Sequence, residues 1–293
     1  MSNVVNILAS GVFGASVLFL VASGLQLVFG VQRIFNLACG SFYALGAFVG
    51  VTAVKWAVGA GLPQPLFVLA LIAGGLSLAI VGPVVEWLLR PVYDRDEAFQ
   101  LLLTFAIVLM LEDVTRLIWG TLPHTTGGLY LIYGQVQLLG ATIPVYNLLV
   151  IGASLTIAVG LGLVLSRTAF GRVVRATADN REMAEALGVN MRRVYVQVFT
   201  LGTVLGTLGG ALVIPSTATM SEMGIELIVS AFAVVVIGGL GSMRGAFVGA
   251  LVVGIIRSVA ISTFPQVEML VIYLIVIGVL VFKPSGLFGR AAT

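Results

Sequence analysis

Long apolar stretches alternate with short polar ones along nearly the whole chain. Apolar runs of about membrane length begin near residues 7, 34, 65, 99, 145, 194, 227, 246 and 268. A helix needs about 20 apolar residues to cross a bilayer, so the pattern predicts an all-α integral membrane protein with eight or nine transmembrane helices. We expect residues 1–293 to form a single membrane domain.

The second run decides between the two counts. It reads GVQRIFNLACGSFYALGAFVG, and its apolar character is interrupted by Gln32, Arg33, Asn36, Ser41 and Tyr43. An ordinary turn followed by a full crossing predicts nine helices. A broken or re-entrant helix, whose freed backbone groups line a cavity, predicts eight. The N-terminal topology stays open between these alternatives.

Residues 167–193 form a charged island between two apolar runs and read RTAFGRVVRATADNREMAEALGVNMRR. The island contains six of the fifteen lysines and arginines of the chain. An excess of Arg beside membrane segments marks the cytoplasmic side, so we expect a cytoplasmic loop. Residues 176–187 are rich in helix formers and Gly188 suits a C-cap, which predicts one short helix. The other basic turns are expected on the same side and place the C-terminus in the cytoplasm: Arg90, Arg95, Arg244, Lys283 and Arg290.

Residues 120–142 contain no Lys, Arg, Asp or Glu. This lack of charge suits an external loop. Glycine-containing pairs at 127–128 and 134–135 separate short runs rich in Tyr, Leu and Val, as in a small β-hairpin. Residues 216–226 carry two glutamates and no basic residue, so we expect them to be external as well.

Glycine patterns suggest two related halves. Gly-Ser followed by Gly-Ala-Phe-Val-Gly occurs at residues 40–50 and again at 241–249. Glycine-interrupted segments at corresponding places in two halves point to a transport pathway, so we predict two loosely related halves. Glycines at 202, 206 and 210 recur every four residues and predict a smooth face for a neighbouring helix.

The composition supports a membrane protein and excludes several chemistries. The chain is 59% hydrophobic and 9% charged, against about 25% charge in soluble domains. Its net charge of +3 is concentrated in one loop, which indicates topology and not a nucleic-acid surface. Cys39 and His124 are the only residues of their types, which excludes an internal disulfide and paired-histidine zinc sites. The first ten residues lack Lys and Arg, so we interpret the N-terminus as retained.

The sequence contains no group of residues suited to catalysis. A phosphate-binding loop needs Gly-Lys-Ser/Thr, but Lys55 follows Val54 and Lys283 follows Phe282. A permeation pathway without enzyme activity is the simplest interpretation. Helical spacing predicts that Arg116 is neutralised by nearby carboxylates. A proton relay in a stand-alone ion-coupled transporter is the competing class, and its ion or proton group would be Glu112, Asp113 and Arg116. A membrane enzyme is a third hypothesis.

Several stretches resemble a known family. Glu182-Met183-Ala184, followed by Gly188, looks like the Glu-Ala-Ala…Gly cytoplasmic motif of bacterial ABC importer permeases. More specifically, the chain resembles branched-chain amino-acid permeases of the LivH type. Five blocks match in family order: GLQLVFGVQRIFNLACGSFYALGAFV, LLRPV, GRVVRATADNREMAEALGVN, AFAVVVIGGLGSMRGAFVGALVVG and KPSGLFG.

One departure from the family pattern bears on the substrate. Cys39 stands where the family commonly has His. Relatives in the same family carry urea, short amides, or small aromatic and other carboxylic acids. The resemblance therefore implies import of branched-chain or other small amino acids, with these other solutes as alternatives.

The resemblance also implies partners and a location. A periplasmic binding protein would deliver substrate to a multi-pass permease in the bacterial inner membrane. A second homologous permease, identical or related, would complete the membrane part among the lipids. Two ATP-binding cassette subunits would dock on the cytoplasmic face and bind the ATP, so this chain needs no cofactor of its own and no nucleic acid.

The same resemblance, read together with the residue types, gives two groups of candidate residues. A lever helix over residues 176–188 would be displaced when the ATPases close. The predicted coupling residues are Arg172, Arg175, Glu182, Ala184 and Gly188. Small uncharged groups suit a zwitterionic or neutral solute that must be released, so we expect a weak or absent binding site in the pathway. The candidate pathway residues are Asn36, Gly40, Ser41, Tyr43, Gly238, Gly239 and Gly241.

Overall fold

The computed structural model describes residues 2–93, 95–126, 128–138, 140–283 and 285–289, without the side chains of Ser2 and Met269. Gly127 and Arg290, which entered the predictions above, lie outside the described residues. Twelve α-helices and two short strands make up the fold in the described part of the chain. In chain order they are α1 (Ser2–Gln32), α2 (Ala38–Gly59), α3 (Phe67–Ser77), α4 (Val81–Leu89), α5 (Glu97–Trp119), β1 (Gln135–Leu138), β2 (Ala141–Pro144), α6 (Val145–Arg167), α7 (Ala169–Asp179), α8 (Arg181–Ala186), α9 (Met191–Val213), α10 (Met223–Gly238), α11 (Met243–Thr263) and α12 (Glu268–Phe282).

The helices confirm an all-α membrane architecture. Six helical stretches among the described residues are long and apolar enough to cross a bilayer, and two more apolar helices are shorter. One of the six covers Gln64–Val92, because a 3-10 turn at residues 78–80 joins α3 to α4. With α5 counted as well, the described residues contain nine apolar helical segments. The second run forms a 22-residue helix, α2, which is long enough for the full crossing of the nine-helix alternative, but an interruption at residues 33–37 precedes it, as the broken-helix alternative predicted.

Helix α9 lies at the centre of the bundle and touches α1, α2, α3 and α4. Its predicted glycine face is confirmed. Gly202 packs on α1, where a Cβ added to Gly24 would lie 2.6 Å from the Gly202 carbonyl oxygen. Gly210 packs on α2, where its own Cβ would overlap the Tyr43 carbonyl oxygen. The backbones of three helices are therefore in direct contact, as small residues allow in membrane proteins.

The helix is interrupted between α1 and α2, and the connecting residues change their depth along α9. The Gln32 side chain donates a 3.1 Å hydrogen bond to the Tyr195 carbonyl oxygen, near the start of α9. Cys39, at the start of α2, lies beside Gly206. These two positions on α9 are eleven residues apart, or about 16 Å. Residues 33–37 are not helical and span that distance. Arg33 turns the chain with a φ of 55°.

The basic turns lie at one end of the bundle, which we call the arginine end. There α7 and α8 pack beneath α1 and α9 in one hydrophobic cluster: Leu27, Val31, Val174, Ala184, Met191, Val194, Tyr195 and Val198. The turn between α4 and α5 reaches the same place, because the Tyr93 and Tyr195 rings are 5.2 Å apart.

The described residues between 120 and 144 lie at the opposite end of the bundle, which we call the hairpin end. β1 and β2 form the predicted antiparallel hairpin, with Gln135 paired to Pro144. β1 begins at Gln135 and its last residue, Leu138, pairs with Ala141, so the predicted glycine pair at 134–135 precedes the hairpin and does not form its turn. The hydroxyl of Tyr133 donates to the Pro65 carbonyl oxygen at 2.8 Å, and residues 124 and 219 form an isolated bridge.

The prediction of one helix over residues 176–187 was wrong. α7 ends at Asp179, Asn180 is extended at φ −150° and ψ 103°, and α8 begins at Arg181. The Asn180 side chain explains the break, since it accepts the amide of Met183 at 2.9 Å and so caps α8. The C-cap prediction is confirmed at Gly188, which has φ 86° and donates its amide to the Glu185 carbonyl oxygen.

We expect Gly210→Ala to lower thermal stability in detergent, because the added methyl group overlaps the α2 backbone. Overpacking of this kind costs about 1–3 kcal/mol. The matched control is Gly160→Ala in α6, where a Cβ meets nothing within 4 Å. Melting of the two purified variants measures the difference. Equal melting temperatures would contradict the backbone-contact interpretation.

Candidate translocation pathway

The buried side-chain amide of Asn36 stabilises the non-helical segment before α2. Asn36 is fully buried, and its Oδ1 accepts the backbone amide of Ala38 at 3.1 Å. Its Nδ2 has no hydrogen-bond partner among the described residues. The neighbouring Phe35 carbonyl oxygen accepts the hydroxyl of Thr104 on α5 at 3.4 Å. The break therefore has a defined geometry with one spare donor.

α10 begins beside the start of α2. Gly224, in its first turn, packs against Gly40. From this level α2 runs towards the hairpin end, whereas α10 runs to the arginine end, where Gly241 lies beside Gly30. Two helix N-termini therefore lie close together within the bundle, as in the discontinuous helices of transporters.

A cavity of about 650 Å³, which we call the α10 cavity, lies beside these helix starts. Its size is that of a small-molecule site. Tyr43 of the predicted pathway lines it, together with residues that the sequence analysis did not select. The lining residues are Tyr43, Thr217, Ala218, Met220, Glu222, Met223, Ile225, Glu226, Leu227, Val229, Arg257 and Tyr273.

Arg257 of α11 joins three helices through two carboxylates. Its Nη2 lies 3.1 Å from Glu226 in the first turn of α10, and its Nε donates to Glu268 in the first turn of α12. This group is not among the residues predicted from the sequence. An arginine inside an apolar run is a signal that could have found it.

A second charged group confirms a predicted pairing. Arg116 and Glu112 on α5 form the expected i,i+4 ion pair, and Arg116 also lies 3.6 Å from Glu222. Ser41 and Glu112 line a narrow pocket beside this pair, so Ser41 of the predicted pathway faces polar groups. The pairing favours local charge neutralisation and not a free proton-carrying group.

The glycines at 238, 239 and 241 lie elsewhere. Gly238 is fourteen residues beyond Gly224 on α10, or about 21 Å along the helix. The backbone of the following turn is held by Gln26, which donates to the Gly239 carbonyl oxygen and accepts the amide of Gly241, both at 2.7 Å. Gly239 and Gly241 have φ of 98° and 78°. The structure therefore does not bring the seven predicted pathway residues into one cavity.

The predicted coupling residues lie on α7 and α8 at the arginine end, and we call residues 169–188 the elbow. Arg172 and Glu182 are exposed, whereas Ala184 is buried against the bundle. Arg175 donates to the Leu165 carbonyl oxygen at the end of α6. The guanidinium of Arg181 lies 5.5 Å from the centre of the Tyr195 ring.

Two apolar side chains on the elbow face outward. Met183 is 58% exposed and Leu187 is 78% exposed. Exposed apolar groups next to charged ones are typical of a docking surface. Neither residue is among the predicted coupling residues, because the charged residues dominate this segment of the sequence.

The C-terminal end of α4 is linked by side-chain contacts to the N-terminal end of α9. Arg90 and the buried Glu86 form an ion pair of 2.6 Å, and the Tyr93 hydroxyl donates to Glu86 at 3.3 Å. Burial, followed by the charge of Glu86, raises the pKa of Tyr93 above its ordinary value. The Tyr93 ring packs edge-on against Tyr195. This arrangement fixes the turn between α4 and α5 beside the elbow.

The geometry of the described residues offers a solute pathway. They contain no group of three or more His, Cys, Asp or Glu positioned to hold a metal ion. A broken helix, a charged cavity and an exposed elbow together define an integral-membrane transport subunit.

The chain belongs to the family described as "branched-chain amino acid transport system / permease component", whose model matches residues 7–280. It is 26% identical to the high-affinity branched-chain amino acid transport system permease protein BraD of Pseudomonas aeruginosa, over 97% of this chain and 95% of BraD. It is 25% identical to LivH of Escherichia coli strain K12, over 96% and 94% of the two chains. It is 26% identical to the ribose import permease protein RbsC of Haemophilus influenzae, over 88% and 77%.

Family membership identifies the chain as an ABC transporter permease of the branched-chain amino-acid type. A permease of this kind is a transport subunit and not itself an enzyme. It is a multi-pass protein of the inner membrane, and ABC transporter permeases in general imply ATPase and binding-protein partners.

We expect Gln26→Leu to lower the melting temperature much more than Gln32→Leu. The first change leaves the Gly239 carbonyl oxygen and the Gly241 amide without their buried partner, at about 1–3 kcal/mol for each group. The second removes one 3.1 Å bond and an Oε1 that has no described partner. Thermal melting of both purified variants tests this. A similar loss in the two would show that the turn does not depend on Gln26.

Proposed function

We propose that this chain imports branched-chain or other small amino acids that a periplasmic binding protein delivers, with separate ATPase subunits as the engine. The exposed elbow carries the proposal, because it presents Glu182 and the apolar Met183 and Leu187 at one end of the bundle. Such a surface suits a subunit that docks from outside the membrane. The elbow matches the position of the Glu-Met-Ala…Gly motif.

We propose that the arginine end is cytoplasmic. The elbow carries three arginines, and contacts within the bundle bring the turns with Arg33, Arg95 and Lys283 to the same end. Excess positive charge beside membrane helices marks the cytoplasmic side. With nine crossings, the C-terminus is then cytoplasmic and the N-terminus external.

The elbow is suited to transmit a push from a docked ATPase. Val174 and Ala184 are buried against Leu27 and Val31 of α1 and against the start of α9. A displacement of α7 and α8 therefore reaches the two helices whose backbones touch at Gly24 and Gly202. Asn180, extended between α7 and α8, allows the elbow to bend at one defined residue.

The complete importer in this proposal has five parts. A second homologous permease, identical or related, pairs with this chain, and two ATP-binding cassette subunits bind the ATP. The sequence supports this division of labour, because neither Lys55 nor Lys283 is preceded by glycine as a phosphate-binding loop requires.

Amino acids remain the favoured substrates over urea, amides or carboxylic acids. Cys39, the departure from the family pattern, is 1% exposed and packs beside Gly206 of α9. It does not line the α10 cavity. The ion pair between Glu112 and Arg116 likewise favours an ATP-driven subunit over a stand-alone ion-coupled transporter.

The coupling role predicts different effects for two changes at Gly188. In the reconstituted importer, Gly188→Arg should separate ATP hydrolysis from uptake, because arginine is strained at φ 86° and enlarges the docking surface. Gly188→Asn is the matched control, since asparagine tolerates this backbone conformation and should retain most uptake. Glu182→Lys should likewise separate ATP hydrolysis from uptake. ATP-driven amino-acid uptake and ATP hydrolysis are measured together in vesicles. Normal uptake by both Gly188→Arg and Glu182→Lys would remove the coupling assignment.

The proposed orientation can be tested with single cysteines. Cys39 is the only native cysteine and is buried, so a Cys39→Ala background is suitable. Thr125 and Glu185 are both exposed, at the hairpin end and in the elbow. We expect an impermeant maleimide to label Thr125→Cys in intact cells, and Glu185→Cys only after the membrane is opened. The reverse pattern would invert the proposed topology.

A further inference from the structure

We propose that the α10 cavity is a binding station for the zwitterionic head group of an α-amino acid. In this arrangement Glu226 accepts the ammonium group, and Arg257 with Tyr43 donates to the carboxylate. This inference rests on the proposed import of amino acids and adds the residues that contact the solute on its way.

The position of the charged groups is the first argument. Gly224 packs against Gly40, whose neighbour Cys39 lies beside Gly206. Gly206 is fifteen residues from the start of α9, or about 22 Å from the arginine end. Glu226 follows Gly224 by half a turn and is 54% exposed. An ionised carboxylate exposed at this depth is costly against lipid, so it must face water, solute or another subunit.

The ion pair provides both halves of a zwitterion site. Glu268 holds the Nε side of Arg257, while the Nη2 side of the same guanidinium contacts Glu226 at 3.1 Å. A zwitterion inserted between Arg257 and Glu226 replaces one ion pair by two, without any change in net charge. Glu268 keeps Arg257 oriented while Glu226 is separated from it.

Tyr43 supplies a donor that has no other use in the described structure. It is 4% exposed, lines the α10 cavity, and its hydroxyl has no hydrogen-bond partner among the described residues. Tyr43 lines the same cavity as Arg257 and Glu226, so its side chain belongs to the wall that carries the ion pair. A carboxylate bound in the cavity would accept a hydrogen bond from this hydroxyl.

The rest of the cavity suits an aliphatic side chain. Met220, Met223, Leu227 and Val229 line it beside the charged groups. Methionines adapt to side chains of different shape, which suits a range of small apolar amino acids. Because the ligand competes with the direct contact between Arg257 and Glu226, affinity stays low and release remains easy.

The test uses the complete importer in nanodiscs, without its binding protein, and measures weak binding by saturation-transfer NMR. The probes are L-leucine, 4-methylpentanoate, which lacks the ammonium group, and isopentylamine, which lacks the carboxylate. A site with two charged partners should bind leucine at least about tenfold more tightly than either analogue. No leucine binding, or equal binding of all three probes, overturns the proposal.

Two variants separate a binding role from a structural one. Glu226→Gln should abolish the preference for leucine over 4-methylpentanoate. Tyr43→Phe should weaken leucine binding about fivefold and leave isopentylamine unchanged. Tyr130→Phe is the control, because its hydroxyl bonds Asn147 away from the cavity. Unchanged preferences in Tyr43→Phe and Glu226→Gln, or equal changes in Tyr130→Phe, contradict the site.

ATP-driven uptake by the wild-type importer, measured in parallel with its binding protein, distinguishes failure of the site from failure of the function. Amino-acid uptake together with unchanged variant preferences would reject the α10 site and keep the proposed function. Absent uptake together with variant-sensitive leucine binding would keep the site and reject the importer assignment.

Discussion

Direct contact between helix backbones is the constraint on which the rest of this structure depends. α9 touches α1 through Gly24 and Gly202, and touches α2 through Gly210 and the Tyr43 backbone. In a bilayer the hydrophobic effect does not drive helices together, so close packing of small residues must supply much of the attraction. The same contacts fix the relative depth of α1, α2 and α9, which the pathway and the elbow both require.

The depth of α2 follows from this contact. Because its start is held beside Gly206, the preceding residues 33–37 must leave the helix and cross about 16 Å. Residues in such a break expose polar backbone, and Asn36 satisfies one amide there. The start of α10 packs against the same place. A polar region therefore exists inside an otherwise apolar bundle, and the α10 cavity opens beside it.

The charged groups are divided between two tasks. Arginines near the ends of helices face the arginine end, where the elbow and the neighbouring turns lie. Arg257 lies within α11 and is paired with Glu226 and Glu268 from two other helices, whereas Arg116 lies in the last turn of α5 and is paired with Glu112 and Glu222. Charge at the ends sets orientation at low cost, whereas charge at depth requires partners and therefore marks functional surfaces.

By itself the sequence determined the membrane class, the nine apolar segments, the basic island and the glycine face of α9. These depend on composition and on periodicity, which are local properties. Tertiary structure decided what lies together at a distance. The glycines at 238–241 lie about 20 Å from Gly40, the elbow bends at Asn180, and Arg257 meets Glu226 and Glu268 from two other helices. Spacing along the chain carries no information on which residues of different helices meet, because that depends on the rotation and depth of each helix in the packed bundle.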